Sequence, residues 1–159
     1  MATELIELKP GGGANASLDL IQAAPRCWLV KFAPFRTAWP EIVRRGIFTL
    51  RGIRSPEARK HLKAMKLGDS VFFYQSQVNQ AILGLMQVSR EAYPDPGSLD
   101  PQWVTCDFTP QVTFTTPPSL EAIRRMESLA DLPLLKQPRL PVMPVTAVQS
   151  QVIAQMGHQ

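Results

Sequence analysis

Nine of the 17 basic residues fall between Arg36 and Lys66, where the only acids are Glu41 and Glu57. That segment carries nine minus two, or +7, while the whole chain carries +4, so the remaining residues sum to −3. Concentrated Lys and Arg attract phosphates and release counterions, which points to a polyanion and first of all to nucleic acid. The bland alternative is a solvated basic face. Acid–base and covalent chemistry are poorly served by comparison. His158 stands second from the end, which leaves His61 as the imidazole for proton transfer, in a segment that reads as the surface of a basic helix. No HExxH, CxxC, GxSxG or GxxxxGK pattern occurs, and the acids are scattered singly. Cys27 and Cys106 lie at or within predicted strands, far apart, as buried thiols of a reducing compartment would. The expectation is a non-enzymatic protein with no catalytic residues, no metal and no cofactor.

These residues must be positioned by a chain of 159 residues, enough for one domain with a real core. A 45% hydrophobic content argues against disorder, and 15 prolines argue against a simple helix bundle. No apolar run approaches the ~18 residues of a membrane span. The N-terminus carries Glu4 and Glu7 and has no basic-then-apolar signal region. A cytoplasmic monomer with no membrane partner is expected. Residues 1–26, with Gly11-Gly12-Gly13 and small polar neighbours, read as a flexible tail.

Cys27 to Phe32 is a short apolar run and predicts a buried strand. Thr37 is placed to cap a helix from Ala38 to Arg45 that Gly46 stops, and a brief strand follows near Ile47 to Leu50. Ser55-Pro56-Glu57 is a strong helix start, with a capping hydroxyl, proline at the first position and an acid favoured by the macrodipole. Strands are predicted over Val71–Tyr74, Ala81–Arg90 and Val104–Thr115, the last with a bulge or an edge position at Pro110. A helix from Pro118 to about Ser128, a proline-broken loop from Leu132 to Pro144 and a helix capped by Thr146 complete the chain. This order predicts an α+β fold with a strongly curved sheet or small barrel.

From Cys27 to Gly157 the chain resembles the EVE domain, a member of the PUA-like superfamily related to the YTH readers of methylated adenine. CWLVKFAP resembles the family opening YWLMKSEP; FFYQS resembles FYHS; REAYPDP matches almost letter for letter; DLPLLKQPRLPVMPVT resembles DMPLLRRGNRLSVQPVT. The blocks keep their order and spacing. The resemblance implies a PUA-like pseudo-barrel of about six strands flanked by helices, spanning residues 27–157. It also implies a pocket for a flipped, modified base such as 5-methylcytosine or 5-hydroxymethylcytosine, beside a basic surface. DNA is favoured over RNA as the partner. An RNA-binding module, or a protein or small-ligand interaction module with a degenerate pocket, are the alternatives.

Carried over by position, the base pocket is expected at Trp28, Lys31, Phe32, Ala33, Leu50, Tyr74, Ser76 and Met143, with Arg54, Arg59, Lys60 and Lys63 on phosphates. The departures cluster in the same places. Phe32-Ala33 stand for Ser-Glu, Leu50 for a tryptophan, Gln75 for a histidine, and Pro141 and Met143 for a serine and a glutamine. Four of these changes replace hydrogen-bonding groups with apolar ones, which predicts a remodelled pocket that Phe32 partly fills. Lys31 lies in an apolar strand, so an anion or a carboxylate is expected near its ammonium.

Overall fold

The computed structural model describes residues 14–158. Its centre is one six-stranded sheet of β1 (Cys27–Phe32), β2 (Phe48–Thr49), β3 (Ser70–Gln75), β4 (Ala81–Pro94), β5 (Val104–Thr113) and β6 (Val142–Val145). The strand order is β2-β5-β4-β3-β1-β6. β1 and β3 run parallel, and every other pairing is antiparallel. Strands covered on both faces read as continuous apolar runs rather than alternations, and CWLVKF and SVFFYQ are buried almost throughout.

The sheet is rolled. In hydrogen-bonding order β2 lies four strands from β1, roughly 19 Å apart in a flat sheet at ~4.8 Å per step. Yet the Phe32 ring of β1 and the Phe48 ring of β2 stand 4.9 Å apart, edge to face. Phe48 also meets Phe73 at 5.6 Å and Phe108 at 6.2 Å, so β2 folds over the opening of the curl. The sheet remains open, with β2 and β6 as its edges, in a PUA-like α+β arrangement. The register slips between Leu85 and Met86, which face Val112 and Pro110 and leave Gln111 as the extra residue, the bulge expected of a proline inside a strand.

Trp28, Phe72, Phe73 and Phe108 are fully buried, each worth about 1.5–3 kcal/mol over an exposed ring. Gly84 on β4 lets Trp39 lie against the sheet: a β-carbon there would stand 2.3 Å from the indole and 2.4 Å from the Val112 carbonyl oxygen. The Trp39 Nε1–H donates to Thr113 Oγ1 at 3.0 Å and fixes the ring.

Helices flank the curl: α1 (Ala14–Ala23), α2 (Trp39–Arg45), α3 (Pro56–Ala64), α4 (Leu120–Arg125), α5 (Pro133–Lys136) and α6 (Ala147–Met156). The local signals act as their chemistry requires. Ser55 Oγ accepts from the Ala58 N–H at 3.3 Å with Pro56 at the first position. Thr146 and Gln149 close a reciprocal capping box on α6.

Several boundaries differ from expectation. Thr37 does not cap α2: Ala38 is the flanking residue, and the Thr37 hydroxyl donates to the Arg36 carbonyl at 2.7 Å. The helix begun at Ser119 stops at Arg125, and a 3-10 turn, Glu127–Leu129, takes its place. The proline-broken loop contains the one-turn α5. The tail expected over residues 1–26 is corrected over 14–23, which form α1; residues 1–13 lie outside the described residues. α1 buries Ile21 and Ser17, and Ser17 Oγ lies 2.8 Å from His158 Nε2 just past α6.

Candidate nucleic-acid interface

The rolled sheet leaves a recess of about 400 Å³ where β1 ends and β2 folds over it, within the ~300–1,000 Å³ of small-ligand pockets. Phe32 and Phe48 form its apolar walls, Ile47 and Thr37 part of its rim, and Arg36, Arg45 and Arg51 its charge. Arg36 follows β1 in a tight turn, Arg45 ends α2 and Arg51 follows β2, so three separate junctions converge on one concavity. The Arg36 guanidinium lies 4.5 Å over the Phe32 ring, a cation–π contact. Among the described residues neither Arg36 nor Arg51 has a carboxylate in ion-pair range, whereas Arg45 stands 3.8 Å from Glu41.

Thr49 supplies a directional group. Its hydroxyl donates to Asp107 Oδ1 at 2.8 Å, and the Tyr93 hydroxyl donates to the same oxygen at 2.5 Å. Burial, with this bond to Asp107, pushes the Tyr93 phenol up from its ordinary value, so it stays protonated. Thr49 also lines the recess, with its hydroxyl proton directed to Asp107.

The Arg51–Arg54 loop is held by a buried carboxylate. Asp95, 3% exposed, accepts from the Gly52 N–H at 2.8 Å on one oxygen and from the Gly97 N–H at 2.8 Å on the other. Gly52 has φ +79°, the left-handed region that favours glycine. Thr105 donates its hydroxyl to the Leu50 carbonyl and ties the same stretch to β5.

Of the residues expected at the base pocket, Phe32 lines this recess. The recess adjoins Leu50 through its chain neighbours Thr49 and Arg51, but Ser76 lines no part of it. Ala33, Leu50 and Met143 are buried, the last two fully. Trp28 is a core residue whose Nε1–H donates to Asp69 Oδ2 at 2.9 Å. Tyr74 is buried with its hydroxyl on Gln80 Oε1 at 2.9 Å, and burial drives its phenol up to about 12 despite the nearby Arg124. Lys31 is corrected in its partner: the ammonium donates to the Pro138 carbonyl at 2.5 Å rather than to an acid, and burial lowers its pKa.

The expected phosphate ligands divide. Arg54 packs its guanidinium 4.4 Å over the Trp103 ring. Arg59 donates from Nη1 to the Gln102 carbonyl at 3.2 Å and, with Lys60 and Lys63, lines a shallower hollow of about 330 Å³. Residue-by-residue reasoning counts Arg36, Arg45 and Arg51 in the basic segment without singling them out, and misses Phe48 and Thr49. The placing of Arg51 directly after a predicted strand, and of Arg36 four residues past the end of another, is the signal that could have found them. Among the described residues no group of three or more His, Cys, Asp or Glu is arranged to hold a metal ion, and no helix is long and apolar enough to cross a membrane.

The family model for the EVE domain matches residues 26–156. Thymocyte nuclear protein 1 of Mus musculus is 53% identical over 45 residues, which are 28% of this chain and 20% of that protein's length. The structure of Rpa0253 from Rhodopseudomonas palustris superposes with a TM-score of 0.79 at 36% identity, over 83% of this chain and 92% of that one. The human THYN1 protein in complex with DNA containing 5-methylcytosine shares the fold, with a TM-score of 0.76 at 23% identity over 84% of this chain and 98% of that one.

Proposed function

This chain belongs to the EVE domain family, and from that premise we propose that it is a DNA-binding module that takes one flipped, modified cytosine into the recess lined by Phe32, Phe48 and three arginines. The arginine-ringed concavity carries this reading: a predominantly polar recess open to solvent, floored by two phenylalanines and edged by cations of which two lack a carboxylate partner among the described residues. The 5-methylcytosine DNA bound by the human relative supports the choice of ligand. A base in the slot stacks on the wall that Arg36 now covers, and the released guanidinium joins Arg51 and Arg45 at the phosphates. Thr49, a lining residue whose hydroxyl proton is held by Asp107, is left only to accept where a base reaches it, which suits the exocyclic amine of cytosine. The position at which the resemblance puts the family pocket is remodelled in this reading: Ala33, Leu50 and Met143 pack into the core, and the base enters under Phe32 instead. Arg59, Lys60 and Lys63 extend the phosphate track.

Fluorescence anisotropy with a DNA oligonucleotide carrying one 5-methylcytosine, against its unmodified twin at two salt concentrations, tests the reading. The methylated oligonucleotide binds more tightly, and affinity falls steeply with salt. Arg36→Ala with Arg51→Ala reduces the slope of log K against log salt by about 2, near 0.9 for each phosphate that is no longer neutralised. Binding that ignores salt, or a double variant with an unchanged slope, removes the recess from the interface.

A further inference from the structure

The turn at the mouth of the recess carries an aromatic ring that the fold leaves bare. After Phe32 the chain reverses through Pro34 and Phe35, and the Arg36 N–H donates to the Ala33 carbonyl at 3.1 Å to close the turn. Pro34 fixes its own φ at the first corner, which stiffens the turn and presents Phe35 at its tip. Phe35 is 78% exposed. The residue closing the turn, Arg36, and the residue before the turn, Phe32, both line the recess, so the turn that carries the exposed ring adjoins it. The other large exposed hydrophobics among the described residues are Ile47, Leu67, Val78, Leu99 and Val148, all aliphatic. Of these only Ile47 belongs to the recess.

We propose that Phe35 is a wedge that enters the base stack of duplex DNA at the step from which the flipped nucleotide is drawn. The proposal rests on the recess being the base site, and it names the strand state of the ligand as double-stranded. Drawing a base from a duplex unstacks its neighbours and opens a gap one base thick. An apolar ring inserted there restores the missing stacking and keeps the vacated step from closing. A single strand has no such gap, so the ring gains little from it. A rigid turn places the ring beside the slot that holds the extruded base, so one approach serves both acts.

The test compares a duplex carrying a central 5-methylcytosine with the same strand alone, using the wild-type chain, Phe35→Ala and Phe35→Leu. Phe35→Ala weakens duplex binding about tenfold or more, the scale of one base–aromatic stack, and changes single-strand binding less than twofold. Phe35→Leu recovers part of the loss, since an aliphatic wedge still fills the step. 2-Aminopurine placed beside the target base brightens with the wild-type chain and less with Phe35→Ala. Equal losses on the two forms, or full duplex affinity in Phe35→Ala, overturn the wedge while leaving the recess in place. A wild-type chain that binds neither form, or one indifferent to Arg36→Ala with Arg51→Ala, overturns the base site and the wedge with it.

Discussion

Asp95 is the residue whose loss tests how the interface is held. Its carboxylate is 3% exposed and accepts from the Gly52 and Gly97 N–H groups, each at 2.8 Å. Hydrogen bonds to a charged acceptor contribute about 1.5–3 kcal/mol each. Both glycines are exposed, so water replaces part of what the carboxylate gives and the lower figure applies. Asp95→Ala therefore costs about 3 kcal/mol, and for a chain of this size that lowers Tm by roughly 6–12 °C. Asp95→Asn costs about half as much, because the amide keeps one accepting oxygen and turns a donor toward the second N–H. Urea titration read by circular dichroism measures both. On the proposed function DNA affinity falls along with stability, because Gly52 precedes the loop that carries Arg54 and follows Arg51 at the recess. If Asp95→Ala lies within 0.5 kcal/mol of wild type (roughly the scatter of neutral surface changes), the loop is fixed by other groups and this account of it is wrong.

Gly84→Ala places a β-carbon 2.3 Å from the Trp39 indole and 2.4 Å from a backbone oxygen of β5. Overpacking of this kind costs about 1–3 kcal/mol or more, so the variant melts well below wild type, and an unchanged melt would refute the packing of Trp39 on the sheet. His158 lies 5.3 Å from the Phe114 ring and 2.8 Å from Ser17 through Nε2, and burial holds its imidazole below the ordinary value of 6.5. The unfolded chain then takes up the proton first. The stability this neutral ring contributes is complete above about pH 6.5 and is lost as pH falls through the lower folded value. His158→Gln flattens the fall in Tm between pH 7.5 and 5; identical profiles for the two chains would exclude the ring as the source.

The elements are legible where their signals are local. The CWLVKF run, Ser55-Pro56 and the Thr146 cap each specify their structure within a few residues, and a strand or helix stands at each. α1 is not legible, because its helix stands only by burying Ile21 and Ser17, with Ser17 meeting His158 over a separation of 141 residues. The recess is illegible for the same reason. It exists because Phe48 crosses the curl to meet Phe32, and no spacing within the chain records that meeting. Pocket positions carried over by resemblance instead fall largely on the core, since Trp28, Leu50 and Met143 are apolar enough to be buried there. The basic segment is legible as a cluster. Which of its arginines face one cavity depends on the junctions that carry them.

The parallel pairing of β1 with β3 has a consequence for how this surface can vary. Neighbouring strands that run the same way must be joined by a long excursion, and here that excursion, residues 33–69, contains all nine cations between Arg36 and Lys66. The basic charge is thereby concentrated in one uninterrupted stretch whose two ends are pinned side by side. Transplanting that stretch between chains of this architecture, with Phe48 and Leu50 retained as its keel, would carry its charges across as a single piece while the rest of the sheet stayed as it was.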